Sequence, residues 1–279
     1  MWGIKSVDAG KGLILLLLLV LLLTLIISKY SNSIMRVMVG QEVKLKTAGF
    51  EKMQSEHFDI RYMAQDSAYI EMIAQVSEEA YSSVVEKFDR EPAGKTIVVV
   101  YPDTASLAGS IGWNRNESAM GVYWAGSIRI LSPGEWIKDD ELEKQFKQEG
   151  PMVHEFTHLM VDEITKGNYN RWWTEGIAQY FEKKITGFEF ADPFTQGREF
   201  KYYKLLTLEQ KFDELDQQIA YWESLQAVQY IVDIYGEEKL FAVLEEQGKG
   251  SSLNTALEIC LGTSYQGFEQ GFYQYLQKK

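Results

Sequence analysis

A single cysteine, Cys260, stands in a chain of 279 residues, so no disulfide within the chain can brace the fold. Stability must come from packing or from metal. Positive charge is also scarce: 28 Lys and Arg face 40 Asp and Glu, leaving a net charge of -12. That balance excludes a nucleic-acid partner, whose phosphates require a basic footprint. Histidine is scarcer still, with three in all, yet two of them fall within the five residues 154–158. The third, His57 in SEHFDIRY, reads as an ordinary strand-edge histidine. There is no internal repeat, and the only low-complexity tract is one leucine-rich run. With 46% hydrophobic and 24% charged residues, the composition suffices for one good-sized core or two small lobes and excludes disorder.

Residues 13–27 are apolar apart from Thr24, with Lys11 before them and Lys29 after. As a helix the run reaches about 23 Å of a hydrocarbon core of roughly 30 Å. Snorkelling lysines could close that gap. A cleaved signal peptide fits the same pattern, although SKYSNSIM offers no good small-x-small cleavage site. The expectation is an N-terminal membrane anchor over 1–30, a juxtamembrane linker over 31–52 and a globular domain over 53–279. Basic residues flank both sides of the run, so the positive-inside rule does not orient it. A short leading tail stays in the cytoplasm more readily than a large domain, which points to a single-pass protein of the cell membrane with its domain extracytoplasmic.

Within that domain HFDIRYM alternates as a strand does, and Asp66 opens a long amphipathic helical stretch. KTIVVVYP at 95–102 is a second strand, and 119–133 reads as two more meeting at Ala125-Gly126. From residue 134 onward the pattern is helical: 139–148, 152–165, 172–185, 207–215, 217–235, 237–247, 251–260 and 264–277. Strands followed by helices predict an α+β fold, a small mixed sheet lobe leading into a mostly helical lobe.

The chemistry lies in GPMVHEFTHLM. Residues four apart on a helix are about 400° apart, so His154 and His158 share a face and can share a metal, while Glu155 lies beside it without being a ligand. Glu175 follows in RWWTEGIAQYFEKK, a second helical segment, after a break at Gly167-Asn168, and can supply a third ligand. Zinc held by two neutral imidazoles and one carboxylate keeps a fourth position for water and lowers that water's pKa to roughly 7.

With HEFTH followed by WWTEG, the chain resembles the gluzincin metallopeptidases, the thermolysin-like and aminopeptidase-like enzymes, and more specifically the peptidase MA-like group with its zincin-like fold. The resemblance covers residues 55–279 and is also carried by HFDIRY, GVYWAGSIRI and AYWESLQAVQYIVDIYG. It implies Zn2+ on His154, His158 and Glu175, Glu155 as general base and acid, and a peptide or protein substrate. By analogy a phenol stabilises the oxyanion, and Tyr221 is the candidate, with simple packing as its rival role. Gln179 stands where relatives often carry an acidic partner for a ligand histidine, and Asp162, one turn after His158, is read either as another acceptor or as a solvated aspartate near a helix end. GVYW at 121–124 is read either as an edge strand that pairs with extended peptide or as an ordinary sheet strand. Trp172 and Trp173 are read as packing residues. Ser-Ala-Met-Gly at 118–121 is not the aminopeptidases' Gly-Ala-Met-Glu-Asn strand motif, which leans toward an endopeptidase. The competing functional class is a catalytically silent binding or assembly module that keeps the fold.

Overall fold

A computed structural model of the chain describes residues 9–113, 119–138, 141–195 and 199–278. Lys5, Ser118 and the first two residues of the helix expected at 139–148 lie outside the described residues. The chain begins with helix α1 (Ala9–Lys46), then β1 (Glu51–Gln54), β2 (Phe58–Tyr62), a 3-10 turn (Ala64–Tyr69), α2 (Ile70–Phe88), β3 (Thr96–Tyr101), α3 (Thr104–Ile111), β4 (Gly121–Trp124) and β5 (Ser127–Leu131). Helices follow: α4 (Pro133–Trp136), α5 (Leu142–Glu149), α6 (Met152–Thr165), α7 (Arg171–Thr186), α8 (Leu205–Lys211), α9 (Gln217–Tyr235), α10 (Glu237–Gly248), α11 (Leu253–Leu261) and α12 (Tyr265–Leu276). The α+β succession agrees with the sequence pattern.

The five strands form one mixed sheet in the order β1-β2-β3-β5-β4, with β2, β3 and β5 parallel and the two outer strands antiparallel to their neighbours. Strand β3, Thr-Ile-Val-Val-Val-Tyr, is apolar on both faces because both faces are covered. Val98 and Val100 join Ile128 and Ile130 in the main core with α2 and α6, while Val99 and Tyr101 pack with Leu131, with Leu107 of α3, and with Val39 and Val43 of α1. On the other side of α6 the helices α7, α9 and α10 build the second lobe. Trp172 and Trp173 are wholly buried there, as packing residues.

The N-terminus departs from expectation. Among the described residues no helix is long and apolar enough to cross a membrane. This overturns the membrane-spanning anchor, and with it the membrane partner and the single-pass, extracytoplasmic placement. The apolar run covers only about 23 Å as a helix. Instead of ending there, α1 continues without a break to Lys46, over most of the segment read as a linker, where Val39 and Val43 turn inward onto the sheet.

Candidate active site

The site is built on a helix hairpin. Helix α6 ends at Lys166 and Gly167, both in the left-handed region with φ of 56° and 80°, and the reversal returns the chain as α7. Gly176 lets α7 approach α9 closely, since a Cβ there would lie 2.3 Å from the Ser224 carbonyl oxygen. The His154 and His158 rings, one turn apart on α6, lie 4.8 Å between centroids and face Glu175 of α7.

One donor atom from each of His154, His158 and Glu175 lies within 4.8 Å of the others. Glu175 Oε2 is 3.3 Å from His154 Nε2 and 3.4 Å from His158 Nε2. Ligands at 2.0–2.1 Å from a tetrahedral ion stand roughly 3.3 Å apart, so these spacings fit a small tetrahedral cation. The opposite ring nitrogens are already engaged: His154 Nδ1 is 3.0 Å from Glu182 Oε2, and His158 Nδ1 is 2.7 Å from Thr174 Oγ1. A carboxylate only accepts, so Glu182 fixes the His154 proton on Nδ1 and leaves Nε2 to present its lone pair.

The charges also suit a cation. Burial alone would lower the His154 pKa, yet Glu182, with Glu175 and Glu155, holds it well above the usual imidazole range. Burial would raise Glu175, but the two imidazoles, His158 foremost, hold its carboxyl well below the usual range. Positive charge is thus favoured among three buried carboxylates.

Glu155 is buried, at 6% exposure, and its Oε2 accepts the backbone N–H of Tyr123 in β4 at 2.5 Å. Burial raises its pKa, against the two histidines that pull it down. Gly121 makes room for it, because a Cβ there would lie 2.9 Å from Glu155 Cγ and 2.5 Å from Pro151 Cβ. The outer edge of β4, the terminal strand of the sheet, therefore faces α6 and the base candidate.

Tyr221 of α9 is half-buried and close enough to feel the charges of both Glu175 and Glu155. Burial and then Glu175 push its phenol pKa upward, against Arg171, so the group is a neutral donor. Arg171 had no part in the sequence reading. Its Nε lies 3.6 Å from Glu175 Oε1, its Nη1 2.8 Å from Asp213 Oδ1, and its guanidinium 5.6 Å over the Phe212 ring.

Two expectations are corrected. Gln179 does not serve a histidine; its amide donates to the carbonyls of Glu175 and Tyr221. Asp162 instead accepts from the Tyr123 hydroxyl at 2.5 Å and from Asn32 Nδ2 at 3.1 Å. The acid that serves His154 is Glu182, two helical turns after Glu175 and so on the same face, a spacing visible in the sequence. Thr174 and the Tyr123 amide were also missed. A threonine beside a ligand is a weak signal, and a backbone N–H gives none.

The sequence profile of the peptidase MA superfamily matches residues 95–278. No curated protein matches the chain. Among solved structures it resembles Legionella pneumophila aminopeptidase A in complex with aspartic acid, with a TM-score of 0.51 and 12% identity over 80% of this chain and 27% of that one. It also resembles a mutant M1 zinc metallopeptidase from Deinococcus radiodurans, with a TM-score of 0.47 and 16% identity over 80% of this chain and 49% of that one. The chain spans about a quarter and about half of those two proteins, and the likeness to the first is one of fold.

Proposed function

The chain belongs to the peptidase MA superfamily, and from that membership we propose that it is a zinc metallopeptidase whose ligands are His154, His158 and Glu175. The observation that carries the proposal is the convergence of these three donors, at spacings suited to zinc, next to a buried carboxylate that is not itself a ligand. Zinc held there supplies a Lewis acid for the scissile carbonyl and makes water a nucleophile near neutral pH. Glu155 takes one proton as the water oxygen bonds to the carbonyl carbon, and gives it to the amine nitrogen as the carbon–nitrogen bond breaks. The Tyr123 amide holds Oε2, which leaves Oε1 for this traffic. Tyr221 donates its phenolic hydrogen to the oxygen on which charge develops. Glu182 fixes the His154 imidazole so that it offers Nε2, and Thr174 holds the orientation of the His158 ring.

Glu155→Gln is expected to retain zinc while losing about 100-fold to 10,000-fold in turnover, the usual worth of a general base. His158→Ala should lose both metal and activity. Normal turnover by Glu155→Gln would end this mechanism. Less than roughly half an equivalent of zinc in gently purified wild type would favour a silent module instead.

We read the enzyme as an endopeptidase, because Ser-Ala-Met-Gly at 118–121 stands in place of the aminopeptidases' strand motif. A mixed peptide library should be cut internally, and stepwise release of N-terminal residues would overturn that assignment.

A further inference from the structure

We propose that the stretch of α1 carrying Asn32 and Arg36 is a positioning element of the catalytic site, setting the place of the Glu155 carboxylate through Asp162 and Tyr123. The proposal deepens the peptidase reading and rests on it for its kinetic consequence. Three consecutive contacts make the connection. Arg36 and Asn32 hold Asp162, with Arg36 Nε 3.8 Å from Oδ2 and Asn32 Nδ2 donating to Oδ1 at 3.1 Å. Asp162 Oδ2 accepts the Tyr123 hydroxyl at 2.5 Å. Tyr123 in turn gives its backbone N–H to Glu155 at 2.5 Å.

The surroundings are shaped for this arrangement. The hydroxyl of Tyr123 accepts the Gly126 N–H at 2.9 Å, so the phenol is tied both to its own hairpin turn and to α6. Gly126, in that turn, would put a Cβ 3.2 Å from Arg36 Nε, and Gly167, in the α6–α7 reversal, would put one 2.5 Å from Asn32 Cγ. Two turns that flank the site thus lack a side chain where α1 inserts one. Arg36 is further fixed by Glu163 Oε1, 2.8 Å from Nη2. Asp162 is 2% exposed, and a buried carboxylate of this kind holds its partners in place because leaving it unpaired is costly. Burial, then the Asp162 charge, raises the Tyr123 phenol well above its ordinary range, which keeps it a donor.

A base displaced by a fraction of an ångström transfers protons less well without altering how tightly substrate binds. The expected signature is therefore in kcat. In the full-length zinc-loaded protein, Tyr123→Phe and Arg36→Ala should each lower kcat on a library-derived peptide by about tenfold, with KM within about twofold and zinc content unchanged. The double variant should be no worse than the single ones, since both break one connection. Amide hydrogen exchange supplies a readout without turnover: protection at Tyr123 should fall in both variants while the β5 amides keep theirs.

Unchanged kcat with unchanged protection at Tyr123 would overturn the proposal. So would additive losses in the double variant, or a loss of protection spread evenly over the sheet, which would mark α1 as a general brace. Wild-type protein that binds zinc and cleaves nothing would sink the peptidase reading separately, and the exchange experiment would still decide the positioning role.

Discussion

Glu182, which had no part in the sequence reading, lies 3.0 Å from His154 Nδ1. By accepting from His154 Nδ1 it supports the imidazole as a ligand, and Glu182→Gln removes the charge while keeping an oxygen in place. Zinc affinity should fall by about 10-fold to 100-fold, measured by competition with a coloured chelator. Gly121 is a second sensitive position. Its Cβ would collide with Pro151 and Glu155, so Gly121→Ala should impair kcat by displacing the base while zinc occupancy stays full. Residue types explain how much of this was legible. Histidines and a glutamate at metal-ligand spacing announce themselves, because few other patterns place them so. Gln179 looked like the histidine's partner from its position one turn after Glu175, but its amide is drawn to two carbonyls, which need a donor that a carboxylate could not supply.

At the level of elements, α6 and α9 have the bounds that the sequence pattern predicts, α6 being buried on almost every side and α9 along most of its length. The short α3 was missed, although Asp103 caps it by accepting the Ser106 N–H at 2.7 Å, a local signal that the apolar period of so brief a helix does not reinforce. Strand β1 and the inner half of α1 were also missed, because their order depends on packing against partners far away in sequence. Helix α7 depends on its distance from α9. Gly176→Ala would force Ser224 away and should destabilise the fold by about 3 kcal/mol, the upper range for overpacking, readable as a lowered urea midpoint. Helix α9 also carries Glu223, wholly buried, with Oε2 accepting the Tyr203 N–H at 2.7 Å. Burial pushes its pKa up to about 8, against that hydrogen bond. The unfolded value is about 4.3, so between these two limits the folded chain binds the extra proton. Its contribution to stability is complete below about pH 4.3 and declines toward pH 8, by at most about 1.4 kcal/mol per unit. Glu223→Gln should flatten the fall in urea midpoint between pH 5 and pH 8; an unchanged slope would assign the fall to other groups.

Across the whole molecule, metal and fold should be coupled. The ligands come from α6 and α7, and α6 lies between the sheet and the helical lobe, so zinc bound there stabilises the junction of the two. At free zinc about 1,000 times its dissociation constant, linkage adds about 4 kcal/mol. Chelation should then lower the melting temperature by about 10 °C, reversibly on zinc addition, in a scanning calorimetry experiment. A melting temperature indifferent to chelator would argue against occupied ligands. The global arrangement was the least legible part of the sequence. Which strands run parallel depends on crossovers through α2 and α3, and α1 looked like a membrane span because its apolar half dominates its sequence while its docked half is polar and without a clear period.

The reversal at Lys166 and Gly167 places all three candidate ligands in the single stretch 154–175, whereas the proposed base, Glu155, accepts a strand amide from residue 123, whose side chain is joined through Asp162 to a helix that begins the described chain. The candidate metal site is therefore local in the chain, and the surroundings of Glu155 are assembled from distant segments. On the proposed mechanism, a substitution in α1 would leave zinc bound while turnover falls, so metal content alone would be a poor guide to peptide cleavage.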